Sequence, residues 1–194
     1  PMETTAQILR KLSKGGLAHL RHDMVEVSPS QRVRLAVHAI KLGADIEQVC
    51  KAIKWTEFEN VAAQAFEANN FQTIRNFRFK QALKRWEIDL LGCKQPFIAC
   101  VDCKHWRYAW RKTAMIRAVE AQVERTQALA NILPSRCEKI GLKGWRTAVL
   151  IPIVLSLLPG PLKFYENVPI VPVFQLQDFI NLMLAHVSSL THFT

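Results

Sequence analysis

Two short stretches of the 194-residue chain hold residues suited to chemistry: "RWEIDLLG", with Asp89, and "FIACVDCKHW", with Asp102 and Lys104. Both read as extended strands, in which side chains alternate faces. Asp102 and Lys104 therefore share one side of their strand. Glu87, Asp89 and Leu91 share one side of theirs, with Trp86, Ile88 and Leu90 opposite. If the strands pair through a turn supplied by Gly92 and "KQP", Asp89 lies beside Asp102 and Lys104. Two adjacent carboxylates repel, and one takes up a proton unless a cation joins them. Mg²⁺ (or Mn²⁺) suits such a pair, because it binds through one or two carboxylates and leaves other positions to water and phosphate oxygens. A protonated lysine is no metal ligand, but it can hold an attacking water or stabilise charge developing on a phosphate. The set suits metal-assisted hydrolysis of a phosphodiester.

The elements that must position these residues follow from pattern and punctuation. Residues 1–54 read as a small all-helical region. "TTAQILRKLS" is amphipathic and stops at Gly15-Gly16; "SPSQRVRLAVHAIKLG" has a Ser cap, Pro29 at its start and Gly43 as a left-handed stop. "ADIEQVCKAIKW" follows with Asp45 as N-cap, so the last two helices form a helix-turn-helix candidate. A plain helical hairpin fits the same pattern equally well. Residues 55–194 begin with the helix "TEFENVAAQAFEANN" and the extended "FQTIRNFRF", followed by the two motif strands. A long helix, "KTAMIRAVEAQVERTQALANIL", then leads to two apolar strands, "RTAVLIPIVLSL" and "VPIVPVFQL", and a last helix, "QDFINLMLAHV". That order implies an α/β domain, one sheet with helices on its faces.

Composition narrows the class. At 49% hydrophobic residues the chain can build a core, which argues against global disorder. The longest apolar run, "AVLIPIVLSLLPGPL", is shorter than the roughly 20 residues of a spanning helix and is broken by Pro152, so no membrane partner is expected. The start has no apolar signal-peptide core, and five scattered cysteines suit reduced thiols in a cytoplasmic setting. A net charge of +10 points to a polyanionic partner, nucleic acid first. Between Gln72 and Arg117 eleven Lys or Arg stand against three acids, and those acids are Glu87, Asp89 and Asp102. Positive charge thus surrounds the acidic pair, with Arg75, Arg78, Lys84, Arg85, Arg107, Arg111 and Lys112 as the expected nucleic-acid contacts.

Read in order, "WTEFENVAAQAFEANNF", "EIDLLG" and "IACVDCKHW" resemble the PD-(D/E)xK nuclease superfamily, in its Mrr-type and archaeal Holliday-junction-resolvase-like branch. The resemblance covers about residues 55–133. It implies a restriction-endonuclease-like mixed central sheet flanked by helices, and a DNA endonuclease of repair or recombination that uses Mg²⁺ and acts as a homodimer. Carried over residue by residue, it implies Asp89 and Asp102 as motif acids, Lys104 as the catalytic lysine and Glu59 as the helix glutamate. Glu57 and Glu67 compete for the last role; Glu57 is expected to point outward. Gln122 matches a glutamine of the following helix. Here the second acid is Asp rather than the commoner Glu, and no Pro precedes Asp89.

Plainer readings stand beside this one. Asp102 and Lys104 alone would make an ordinary ion pair, worth little if exposed. "CVDC" has zinc-like spacing, but no second ligand pair accompanies it, so both cysteines read as packing residues. Gln122 could be an exposed helix glutamine. "KHWRYAWRK", residues 104–112, interleaves cations and rings as a nucleic-acid contact would, or as core tryptophans would. A non-catalytic nucleic-acid-binding protein on a nuclease fold, or an RNA-processing nuclease, are the alternative functions.

Overall fold

The computed structural model describes residues 2–22, 24–45, 48–49, 52–104, 111–133, 141–142, 144–145 and 147–194. The chain divides into two compact units, 1–61 and 62–194. Among the described residues no helix is long and apolar enough to cross a membrane.

In the first unit, α1 (Met2–Lys14) is followed by a small antiparallel hairpin, β1 (His19–Arg21) with β2 (Met24–Glu26), and then α2 (Pro29–Lys41). The hairpin corrects the all-helical expectation for residues 1–54. His22 takes a left-handed φ of 52° in the turn, and both strands are exposed throughout, so no alternation of apolar and polar faces marks them against the flanking helical patterns. Ser28 caps α2 in a reciprocal box: its hydroxyl accepts from the Gln31 N–H, and the Gln31 side chain accepts from the Ser28 N–H. Gly43, at φ 93°, ends it: Gly43 N–H donates to Ile40 O and Ala44 N–H to Ala39 O. Asp45 Oδ1 accepts from Gln48 N–H at 2.9 Å, as an N-cap should. Residues 46, 47, 50 and 51 of the supposed recognition helix lie outside the described residues. The next helix, α3 (Trp55–Ala68), starts in this unit and ends in the second.

The second unit is built on a six-stranded sheet of order β3-β4-β5-β6-β8-β7. β3 (Gln72–Gln81), β4 (Lys84–Lys94) and β5 (Phe97–Lys104) form an antiparallel meander. A crossover through α4 (Lys112–Ile132) brings β6 (Val149–Ser156) parallel to β5, and β8 (Val168–Pro172) lies parallel to β6. A two-residue strand, β7 (Phe164–Tyr165), closes the edge, and α5 (Leu176–Met183) is followed by a 3-10 turn (Leu184–Ser189) and a bridge from Phe193 to Leu150. The mixed sheet with helices gives the α/β class read from the sequence.

α4 buries Met115, Val119, Gln122, Thr126 and Leu129, a repeat of three and four residues that makes one continuous face. Its C-terminal half packs with Leu91, Ile98 and Cys100 of the meander, and its N-terminal half with Val154, Val168 and Ile170. Gly92 lies within β4, not in the turn. A Cβ there would meet the Phe66 ring at 2.6 Å, so close packing of helix on strand requires the glycine.

Candidate active site

Leu90 with Val101 is the last pair of the antiparallel β4–β5 ladder, so Asp89 and Asp102 each lie one residue beyond that pair on their own strands. Asp89 Oδ2 accepts a 2.7 Å hydrogen bond from the Cys103 N–H, which ties β4 to the carboxyl end of β5 beyond the last ladder pair. On its other side, the β3–β4 register places Asn76 across from Asp89, where Asn76 adopts a left-handed φ of 51° and is missing from the ladder. The acids sit at the carboxyl end of β5, where its parallel partner β6 also ends, the place at which α/β sheets bind ligands.

Asp102 is the buried centre, with its side chain 6% exposed. Lys104 Nζ lies 3.1 Å from Oδ1 and 2.9 Å from Oδ2. Only the first contact has hydrogen-bond geometry, so Oδ2 is buried with an ionic neighbour and no hydrogen bond. Arg125 Nη1 donates to Oδ1 at 2.8 Å and to Gln122 Oε1 at 3.4 Å. Gln122 is fully buried, and its Nε2 donates to Cys100 O at 2.7 Å, pinning α4 to β5. The exposed-glutamine reading of Gln122 is thereby corrected: the residue falls on the inward face of α4. Arg125 was absent from the sequence reading. The signal was available, since Arg125 follows Gln122 by three residues and so lies one turn along the same face.

Glu59 lies in the first unit, where Trp55 Nε1 donates to its Oε1. Glu57 does not point outward; it is buried. Its Oε2 accepts from the Lys54 N–H at 2.9 Å at the start of α3, and its Oε1 lies 3.0 Å from Arg32 Nε. Capping and an ion pair draw it in. Arg32 also donates to Ala52 O at 2.7 Å, so its guanidinium holds protein groups. Glu67 bonds Thr73 and faces Arg75 at 3.9 Å. Among the described residues no group of three or more His, Cys, Asp or Glu side chains is placed to hold a metal ion. The donor set therefore fits no closed protein cage. Two carboxylates could serve a hard cation that fills its shell from water and substrate, but both oxygens of Asp102 already face cations, Lys104 and Arg125.

The cysteine expectation matches: Cys100 and Cys103 are fully buried, and burial pushes the Cys100 thiol upward, away from the thiolate a zinc ligand needs. Arg75, Arg78, Lys84, Arg85, Arg111 and Lys112 are all exposed, while Arg107, with the rest of 105–110, lies outside the described residues. Arg78 is forked onto Glu87 at 3.0 and 3.3 Å, and that hydrogen-bonded carboxylate raises its pKa. Lys84 lies 3.6 Å from the centre of the Trp86 ring and 3.4 Å from Glu124. A hollow on this hairpin is lined by Arg78, Phe79, Lys80, Arg85, Trp86 and Glu87, and none of the motif residues lines it.

No family model matches the chain. An uncharacterized protein of Archaeoglobus fulgidus is 30% identical over 128 residues, which cover 66% of this chain and 90% of that protein. A crystal structure of a protein of unknown function is similar at 16% identity and a TM-score of 0.30, over 51% of this chain and 46% of that one. This chain thus matches less than half of the solved protein.

Proposed function

We propose that the chain, which belongs to the family of the Archaeoglobus fulgidus protein, is a divalent-metal-dependent DNA endonuclease on a restriction-endonuclease-like fold. The observation that carries this reading is the meeting of both acids at the carboxyl end of β5: the Asp89 carboxylate accepts from the Cys103 N–H, and the Lys104 amine lies against the neighbouring Asp102. Asp89 and Asp102 would hold Mg²⁺ or Mn²⁺. When bound, the ion would polarise a phosphate oxygen and lower the pKa of a coordinated water. Lys104, 30% exposed, would reach from Asp102 toward that water or the phosphate and balance the charge that develops on attack. Exposed cations of β3 and β4 would hold the flanking backbone, with a homodimer bringing one such site to each strand.

A second reading has its own observation. Asp102 is enclosed by two cations, Lys104 and Arg125, as it would be in a nucleic-acid-binding protein whose acidic cluster has become structural. One experiment separates the two. Branched, single-stranded and duplex DNAs, with an RNA duplex beside them, are incubated with the protein and Mg²⁺ or Mn²⁺. The nuclease reading expects cleavage that EDTA stops and Lys104→Ala abolishes, with DNA affinity within a few-fold of wild type. Binding without metal-dependent cleavage of any substrate sinks it in favour of the second.

A further inference from the structure

Arg125 occupies the atom a metal needs. Its Nη1 donates to Asp102 Oδ1 at 2.8 Å, beside the Lys104 amine, which donates to the same oxygen at 3.1 Å and lies 2.9 Å from Oδ2, so both oxygens of the buried carboxylate face cations. Among the described residues the one negative charge of Asp102 thus already faces two cations, without any metal ion. Adding a divalent cation beside a fixed guanidinium and a fixed ammonium is opposed by like-charge repulsion, and it is opposed most where the charges are screened least by water. One cation has to move. Lys104 is two residues from Asp102 on the same strand, and the backbone holds it on that face. Arg125 comes from α4, on a longer side chain that is 25% exposed, and its planar fork matches a phosphate as well as a carboxylate.

Building on the nuclease reading, we propose that Arg125 is a positioning residue that competes with the divalent metal for Asp102 Oδ1. It keeps the site closed to metal until a DNA phosphate draws the guanidinium away. Gln122 Oε1, 3.4 Å from Arg125 Nη1, holds the group over Asp102 in the closed arrangement. Metal and DNA therefore bind cooperatively, each removing what obstructs the other.

The test is a titration of the 194-residue chain with Mn²⁺, free ion being followed by electron paramagnetic resonance, with and without an uncleavable phosphorothioate duplex. Removing the competitor restores the fraction of sites open to metal, so Arg125→Gln should bind Mn²⁺ about tenfold tighter than wild type without DNA. The duplex should tighten Mn²⁺ binding in wild type and hardly at all in Arg125→Gln. Equal or weaker Mn²⁺ binding by the variant overturns the proposal while leaving the metal site standing. Absence of Mn²⁺ binding in both proteins, with and without the duplex, overturns the nuclease reading and this proposal together. A measurement on wild type guards against a misfolded variant. The ¹⁵N guanidinium resonances of Arg125 should show hindered rotation before addition of Mg²⁺ and duplex and free or shifted behaviour after. Unchanged resonances at saturation overturn the competition.

Discussion

The carboxylate of Asp89 accepts a hydrogen bond from the backbone N–H of Cys103, the residue between Asp102 and Lys104. Asp89 therefore shapes the strand end that presents the other two, in addition to any charge it brings. Replacement with Asn keeps an acceptor oxygen and removes the charge; replacement with Ala removes both. Asp89→Ala should lose about 1–3 kcal/mol of stability in urea unfolding, the penalty for an unmet buried donor, with Asp89→Asn nearer wild type. Both should lose metal-dependent cleavage. An Asn variant cleaving at the wild-type rate would dismiss Asp89 from the metal site.

Gly92→Ala should destabilise by about 1–3 kcal/mol, because the added methyl overlaps a fully buried ring with nowhere to go. Thermal unfolding measures it. Phe66→Leu in the same chain should recover part of the loss, since the contact is with that ring; strictly additive losses would place the strain elsewhere.

Salt dependence should rank the basic residues. Arg78 is already forked onto Glu87, whereas Arg85 is exposed with no acidic partner among the described residues. On duplex DNA each phosphate neutralised contributes about −0.9 to the slope of log affinity against log salt. Arg85→Glu should flatten that slope more than Arg78→Glu. The reverse order would mean that DNA displaces Glu87 from Arg78.

Alkaline stability should report the buried thiols. Burial pushes Cys93 from its ordinary 9.0 up to about 12, so the native chain keeps a proton that the unfolded chain releases. Stability from this group is complete below about pH 9 and is lost as pH rises toward about 12, at about 1.4 kcal/mol per unit. Cys93→Ala should show a shallower decline across that window. Parallel wild-type and variant curves would remove Cys93 from the account.

Much of the second unit was legible because its signals are local. α4 spans 112–132 where the periodicity predicted 112–133, and the three meander strands fall on the predicted segments. What escaped the sequence depends on partners that periodicity does not name. Glu57 turned inward for Arg32 and the Lys54 N–H, and Gly92 answers to a ring 26 residues earlier in the chain. Arg125 escaped for a related reason: a charged residue on an apolar helix face reads as a boundary of that face until the carboxylate beneath it is known. The hairpin of the first unit is three residues a side, below the length at which alternation stands out from a helical background.

Asn76 has a consequence away from the acids. β3 is an edge strand of ten residues, and an unbroken edge of that length offers its outer N–H and C=O groups to any second copy of the chain. The left-handed residue interrupts that row near its middle, leaving two short segments, and exposed Arg75, Arg78 and Lys80 set like charges along it. The distortion opposite Asp89 thus also blunts the sheet against edge-to-edge aggregation, in a chain whose other sheet edge is closed by only the two residues of β7.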